Sequence, residues 1–193
     1  LAFGSLRFSH QLTANSQSPK IPTFAKISPM RTIVLDQRRI KQKIVRMAYE
    51  IIENLFETET IHVIGIAGNG VQLAQYLVDE MRNISGQNVQ LNFIQVDKDN
   101  PLAHAIHFNE AQLDLKKAHV VLVDDVINSG KTIQYALNHI LTQPVHQVKT
   151  ATLVDRKHRR FPIHADFVGI QLSTTMQERV EVSFEGEWKA FLV

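Results

Sequence analysis

Asp124 and Asp125 stand side by side at the end of an apolar run, and Ser129-Gly130-Lys131-Thr132 follows within one short turn, in the stretch VDDVINSGKT. Carboxylates repel phosphate, but they accept hydrogen bonds from vicinal hydroxyls and favour positive charge developing on a sugar. A turn that opens a helix has the opposite preference: its free amides and the positive end of the helix dipole bind a phosphate monoester. Charged hydrogen bonds of this kind contribute roughly 1.5–3 kcal/mol each. Acids for a diol beside amides for a phosphate, with the Ser129 and Thr132 hydroxyls in support, make a cradle for a ribose 5-phosphate. The reading requires the acids to meet the ligand at the strand's tip. Acids turned inward and shielded from solvent would defeat it.

Other chemistries fit these residues less well. A P-loop needs a glycine five residues before Gly130, and Asp125 stands there, where its charge would repel nucleotide phosphates. A dinucleotide fold is suggested by Gly65-x-Ala67-x-x-Gly70, which follows one strand, while Asp97 ends the next. That reading leaves Asp124, Asp125 and the Gly-Lys-Thr turn without a role. If the acids merely cap a turn, the Ser-Gly-Lys-Thr that follows is unexplained.

The elements that must position these groups alternate. Asp36 can cap a helix starting at Gln37, with Ile40, Ile44, Met47, Ile51 and Leu55 at helical spacing. Residues 61–66, 89–96, 119–123, 148–154 and 166–172 read as strands, and residues 179–184 as a short one. Helical patterns follow Gly70 and Thr132, through Leu73, Leu77 and Met81 and through Ile133, Leu137 and Ile140. The alternation predicts an α/β fold, a mainly parallel sheet flanked by helices on both faces. Both glycine turns then lie on one sheet edge, at the carboxyl ends of strands, where ligands bind. Residues 97–115 form a polar stretch long enough to be a lid, a hairpin or a mobile loop.

The chain has 193 residues, 44% hydrophobic and 21% charged, a globular composition. A net charge of +2 does not announce nucleic-acid binding. The absence of cysteine excludes disulfides, thiolate catalysis and cysteine-bound zinc, and is compatible with a reducing compartment such as the cytoplasm. No apolar run approaches the roughly 18 residues that would span a bilayer. Residues 1–29 contain no Asp or Glu and read as a disordered tail, a transit segment or sequence upstream of a start at Met30. A dispensable tail is the preferred reading, with residues 30–193 as one domain.

VVLVDDVINSGKTI resembles the phosphoribosyl-pyrophosphate (PRPP) motif of type I phosphoribosyltransferases. ATLVDRKHRRFPIHADFVGIQL and LDQRRIKQKIVRMAYEIIE are similar to the bifunctional pyrimidine operon attenuator/uracil phosphoribosyltransferase branch of that family. The resemblance covers about residues 32–182. It implies a nucleobase, uracil above all, displacing pyrophosphate from C1 of PRPP, and a sheet carrying a small hood. It also implies a homodimer, and Mg²⁺ held by the substrate and reaching Asp124 and Asp125 only through ribose or water. By position, Asp124 and Asp125 meet the ribose hydroxyls, Asn128, Ser129, Gly130, Lys131 and Thr132 hold the 5′-phosphate, and Gly68, Asn69 and Gly70 form the pyrophosphate loop. Residues 97–115 correspond to the closing loop, which brings Asp97 and Lys98 to the substrate. The first helix and residues 156–161 build the hood near the base, with Arg156 and His158 as contacts.

Two departures bear on function. The relatives carry basic residues in the pyrophosphate loop, whereas Ala67-Gly68-Asn69 is neutral, and Lys98 or a partner subunit is then needed to compensate. Asn128 stands where the hypoxanthine/guanine branch has an acid, and an amide is no general base, which favours a pyrimidine. The alternative to an enzyme is a regulatory PRPP or nucleotide sensor with little catalysis, for which RNA is a compatible partner. Within the basic run 156–160, Lys157 and Arg160 read as solvated. His104 and His107 read as ordinary loop histidines, because a third metal ligand at a telling spacing is missing. Trp188 reads as packing.

Overall fold

Asp36 does start the first helix: its Oδ1 accepts the Arg39 amide at 2.8 Å. The computed structural model describes residues 31–173, 175 and 178–193, so the tail assigned to residues 1–29 lies outside the described residues. In chain order the elements are β1 (Thr32–Leu35), α1 (Gln37–Asn54), β2 (Thr60–Ile66), α2 (Asn69–Ile84), β3 (Asn88–Gln95), β4 (His107–Phe108), β5 (His119–Ile127), α3 (Lys131–Ile140), β6 (Gln147–Arg156), β7 (Phe167–Leu172), β8 (Val180–Ser183) and β9 (Lys189–Leu192). Six strands form the main sheet in the order β4-β3-β2-β5-β6-β7, and three form a small sheet, β1-β9-β8. All pairings of the main sheet are parallel except the short β3–β4 ladder.

The apolar periodicity decides the layers. α1 buries Ile40, Ile44, Met47, Ala48 and Ile51, and a large side chain buried in this way contributes about 1.5–3 kcal/mol. This stripe joins Leu73, Leu77 and Met81 of α2 over one face of the sheet, against Val63, Val121 and Leu153. α3 covers the other face with Ile133, Ala136 and Ile140, against Ile64, Val120 and Leu122. The small sheet packs into the first core through Val182, Phe184 and Ala190. No helix among the described residues is long and apolar enough to cross a membrane.

Two expectations need correction, and two strands were missed. α1, expected in the hood, packs on α2, β6 and β7 as a layer of the main sheet, and the strands outside that sheet form the small sheet β1-β9-β8. β1 and β9 escape the sequence reading because each is a four-residue segment without alternation, and β1, at the edge of the small sheet, finds β9, its central strand, across the length of the chain. β5 does not stop at Val123. It runs through both acids, with Asp124 opposite Thr152 and Val126 opposite Val154, because β6 continues beside it and pairs its backbone. Within residues 97–115, β4 folds back on β3, with Ile94 opposite Phe108. Trp188 packs on Tyr76 and Phe184, as the packing reading expected.

Candidate active site

The strand order creates a crevice. From β2 the chain crosses by α2 to β3 on one side, and from β5 it crosses by α3 to β6 on the other. The order therefore reverses between β2 and β5, and ligands of such sheets bind outside the carboxyl ends at that point. The turn of residues 67–70 leaves β2 there, and Asp124 and Asp125 lie in the last part of β5.

Both acids are shielded, at 4% and 8% exposure, where the sequence reading wanted them open. Their cover is the crevice lining. Lys98 Nζ lies 3.5 Å from Asp124 Oδ1 and 3.8 Å from Asp125 Oδ1, and the lysine side chain is itself 46% exposed. Asn69 Nδ2 donates to Asp125 Oδ2 at 3.1 Å. Gly70 presses on the pair from the start of α2: a Cβ there would stand 3.0 Å from the Val123 carbonyl and 3.2 Å from Asp124 Oδ1. Burial, then the charge of Asp125, pushes the Asp124 carboxyl up to about 8 against the pull of Lys98. Two carboxyl groups this close favour whatever cation or hydroxyl donor reaches them.

The turn into α3 is shaped for amide donation. Gly130 has φ 83°, a left-handed conformation that costs glycine nothing, and a Cβ there would lie 3.3 Å from that of Ile163. The Ser129 carbonyl accepts the amides of Arg160 and Phe161 at 3.0 and 3.1 Å, which clamps the turn. The Gln134 amide makes the first helical bond, to Gly130, so those of Lys131, Thr132 and Ile133 have no helical acceptor. That of Lys131 turns to Ser129 Oγ at 3.3 Å. Lys131 Nζ reaches over to the Asp99 carbonyl at 2.7 Å, so residues 98 and 99 are tied to the acids of β5 and to the start of α3.

Beyond the turn a cavity of about 480 Å³ opens between the end of β6 and residues 178–179. Arg156, only 3% exposed, donates to the Thr175 carbonyl at 3.2 Å, and burial holds its guanidinium below the usual value. Arg159 pairs with Asp155 and also donates to the Asn128 carbonyl at 3.1 Å. The sequence reading missed this pair and its grip on Asn128. The available signal was an Asp at the carboxyl end of the strand next to β5, four residues before an Arg. Lys157, Arg160 and Arg179 also line the cavity, and no ion pair among the described residues includes them.

Gly68, Asn69, Gly70, Lys98, Asp124, Asp125 and residues 128–132 thus converge on one edge, with Arg156 and His158 on the adjoining cavity wall. Asp97 is not brought to the acids. Its Oδ1 accepts the amides of Asp99 and Asn100, and these bonds, that of Asn100 first, hold its carboxyl below the usual range. His104 faces Asp97 at 3.7 Å. Among the described residues no group of three or more His, Cys, Asp or Glu side chains could hold a metal ion.

A largely parallel sheet with a polar crevice at its switch point defines an α/β ligand-binding protein. The family described as "Phosphoribosyl transferase domain" matches residues 30–183. The Bifunctional protein PyrR of Ligilactobacillus salivarius (strain UCC118) is 37% identical over 159 residues, 77% of this chain and 89% of that protein. The protein of the same name from Geobacter sulfurreducens is 35% identical over 162 residues, 80% of this chain and 91% of that protein. In fold, the chain is similar to a hypoxanthine phosphoribosyltransferase of Trypanosoma cruzi, with a TM-score of 0.65, 18% identity, and 77% and 84% of the two chains covered. A hypoxanthine-guanine phosphoribosyltransferase from Bacillus anthracis gives 0.62 at 22% identity, covering 73% of this chain and 82% of that one. This chain belongs to the phosphoribosyl transferase domain family, and it has the family's α/β fold.

Proposed function

We propose that the chain transfers the ribose 5-phosphate of PRPP to uracil, giving a nucleoside monophosphate and pyrophosphate. The observation that carries this is the placement of Asp124 and Asp125 beside the turn that opens α3, at the switch point, with Lys98 above both acids. In this reading the amides and hydroxyls of residues 128–132 anchor the 5′-phosphate. The acids accept hydrogen bonds from the ribose hydroxyls, and Asp125 stabilises positive charge as the bond from C1 to pyrophosphate breaks and the bond to the base nitrogen forms. Lys98 passes from the acids to the leaving group and supplies the charge that Ala67, Gly68 and Asn69 lack. Residues 97–115 close over the reacting carbon and exclude water.

The buried acid pair suits a cation brought in by the substrate: Mg²⁺ on PRPP would meet Asp124 and Asp125 through ribose or water, and would neutralise pyrophosphate as it leaves. Arg156 and His158 line the cavity beside the turn, and in this reading they contact the acceptor base. Uracil is supported by Asn128, an amide that cannot take a purine proton, and by relatives named Bifunctional protein PyrR. A homodimer in the cytoplasm goes with the same reading.

One observation favours a second reading. With a neutral loop at residues 67–69, a PRPP or nucleotide sensor with little turnover fits the same crevice, and the cations of the β6 cavity are compatible with RNA. Incubation with PRPP, Mg²⁺ and each of uracil, hypoxanthine, guanine, adenine, xanthine and orotate separates the two. Uracil-dependent pyrophosphate release supports the enzyme. Tight PRPP binding without release supports the sensor, and release with a purine alone overturns the choice of uracil.

A further inference from the structure

The side-chain amide of Asn69, the first residue of α2, donates twice: to Asp125 Oδ2 at 3.1 Å and to the Val182 carbonyl at 2.8 Å. Its acceptors belong to different sheets. Asp125 lies in β5 of the main sheet, and Val182 in β8 of the small one. A carboxamide NH₂ has two hydrogens, so one side chain can hold both acceptors at once, and nothing is left to donate to a third. By sequence position Asn69 belongs to the loop that would face the leaving group. In the structure its donors face the diol acid and the small sheet instead.

The chemistry of the side chain matters as well as its direction. A cation at this position would compete with positive charge developing on the sugar for the field of Asp125. A neutral amide orders the carboxylate and leaves its charge in place. Gly70, pressed against Val123 and Asp124, fixes the start of α2 close to the acids and keeps the short amide within reach.

We propose that Asn69 is a positioning residue, a latch that holds Asp125 against the small sheet in the geometry that accepts a ribose hydroxyl, and that its side chain does not donate to pyrophosphate. The inference rests on the reading in which the acid pair meets the diol.

The test compares the parent protein with Asn69→Ala and Asn69→Ser. Calorimetry measures binding of ribose 5-phosphate, 2-deoxyribose 5-phosphate and inorganic pyrophosphate, and hydrogen exchange follows residues 180–183 without ligand. The latch predicts that the parent's preference for ribose over 2-deoxyribose falls at least threefold in Asn69→Ala. Exchange in residues 180–183 quickens, and pyrophosphate binding stays within twofold. Asn69→Ser, whose single hydroxyl proton serves one acceptor at a time, gives intermediate values and carries the test should the alanine variant fail to fold. A general loss of structure would weaken both sugars alike. Unchanged sugar preference overturns the proposal, as does a loss of pyrophosphate binding with exchange unaltered. If the parent itself ignores the 2-hydroxyl, the diol reading falls, and exchange alone decides the latch: faster exchange in the variant supports it and unchanged exchange overturns it.

Discussion

Lys98 Nζ lies 3.5 Å from Asp124 Oδ1 and is the cation that touches both members of the acid pair. The lysine comes from the segment after β3, and its side chain is nearly half exposed while the acids are buried. Such a contact is made from the solvent side and can be exchanged for a ligand. In the proposed reaction the ammonium follows the leaving group. Lys98→Met is therefore expected to lower kcat by at least tenfold, equivalent to about 1.4 kcal/mol of transition-state stabilisation, with a smaller effect on PRPP binding. Initial rates over a range of PRPP concentrations separate these. An unchanged kcat would place the leaving-group charge elsewhere.

Asp124 makes stability depend on pH in a direction opposite to that of an ordinary paired carboxylate. Burial, then Asp125, raises its folded-state value to about 8, while the unfolded chain titrates near the usual 3.8. Between these values the folded state holds a proton that the unfolded state has released, so the contribution is present in full below the unfolded value and is lost as pH rises through about 8. Denaturant unfolding from pH 5 to pH 9 should show the parent losing stability across the range, and Asp124→Asn should flatten that slope. A parallel decline in both proteins would assign it to other groups.

Asp125 is the acceptor that Asn69 orders, and in the proposed site it meets the ribose. Replacing it by Asn removes one charged hydrogen bond to the sugar, worth roughly 1.5–3 kcal/mol. PRPP affinity measured by calorimetry should fall by a factor of ten or more, with the fold retained. An affinity within twofold of the parent's would remove the sugar from the acid pair.

The chemistry of the edge was readable in the sequence because it is written locally. Strand, acids, turn and helix start lie within residues 119–132, and parallel pairing alone brings Gly68, Asn69 and Gly70 to the same side. Asp36 and the stripe from Ile40 to Ile51 placed α1 by the same local logic. What escaped is non-local. β1 finds β9 from the far end of the chain, and nothing in either four-residue segment announces the other. The extension of β5 through two charged residues is set by β6 beside it, since strand propensity would end it at Val123. The burial of the acids follows from that extension and from the arrival of Lys98 and Asn69, neither of which adjoins them in sequence.

The pairing of Arg159 with Asp155 shows how a buried charge can shape the phosphate turn from behind. Arg159 also donates to the carbonyls of Asn128 and Arg156, both at 3.1 Å, so the guanidinium spans the end of β6 and the turn before α3. The two side chains are 18% and 7% exposed, which makes an unpaired survivor costly. Removing one partner of a buried pair costs about 3–5 kcal/mol, much of it from the stranded charge, whereas removing both can be nearly neutral. Asp155→Asn and Arg159→Met should each destabilise the protein by about 3 kcal/mol, and the double variant by clearly less than their sum. The double variant should nevertheless bind ribose 5-phosphate more weakly than the parent, because the Asn128 carbonyl has lost its anchor. Denaturant unfolding and calorimetry on the four proteins of this cycle measure the two effects separately. Additive stabilities would show that the pair is solvated in practice, and undiminished sugar-phosphate binding by the double variant would show that the turn holds its shape without it.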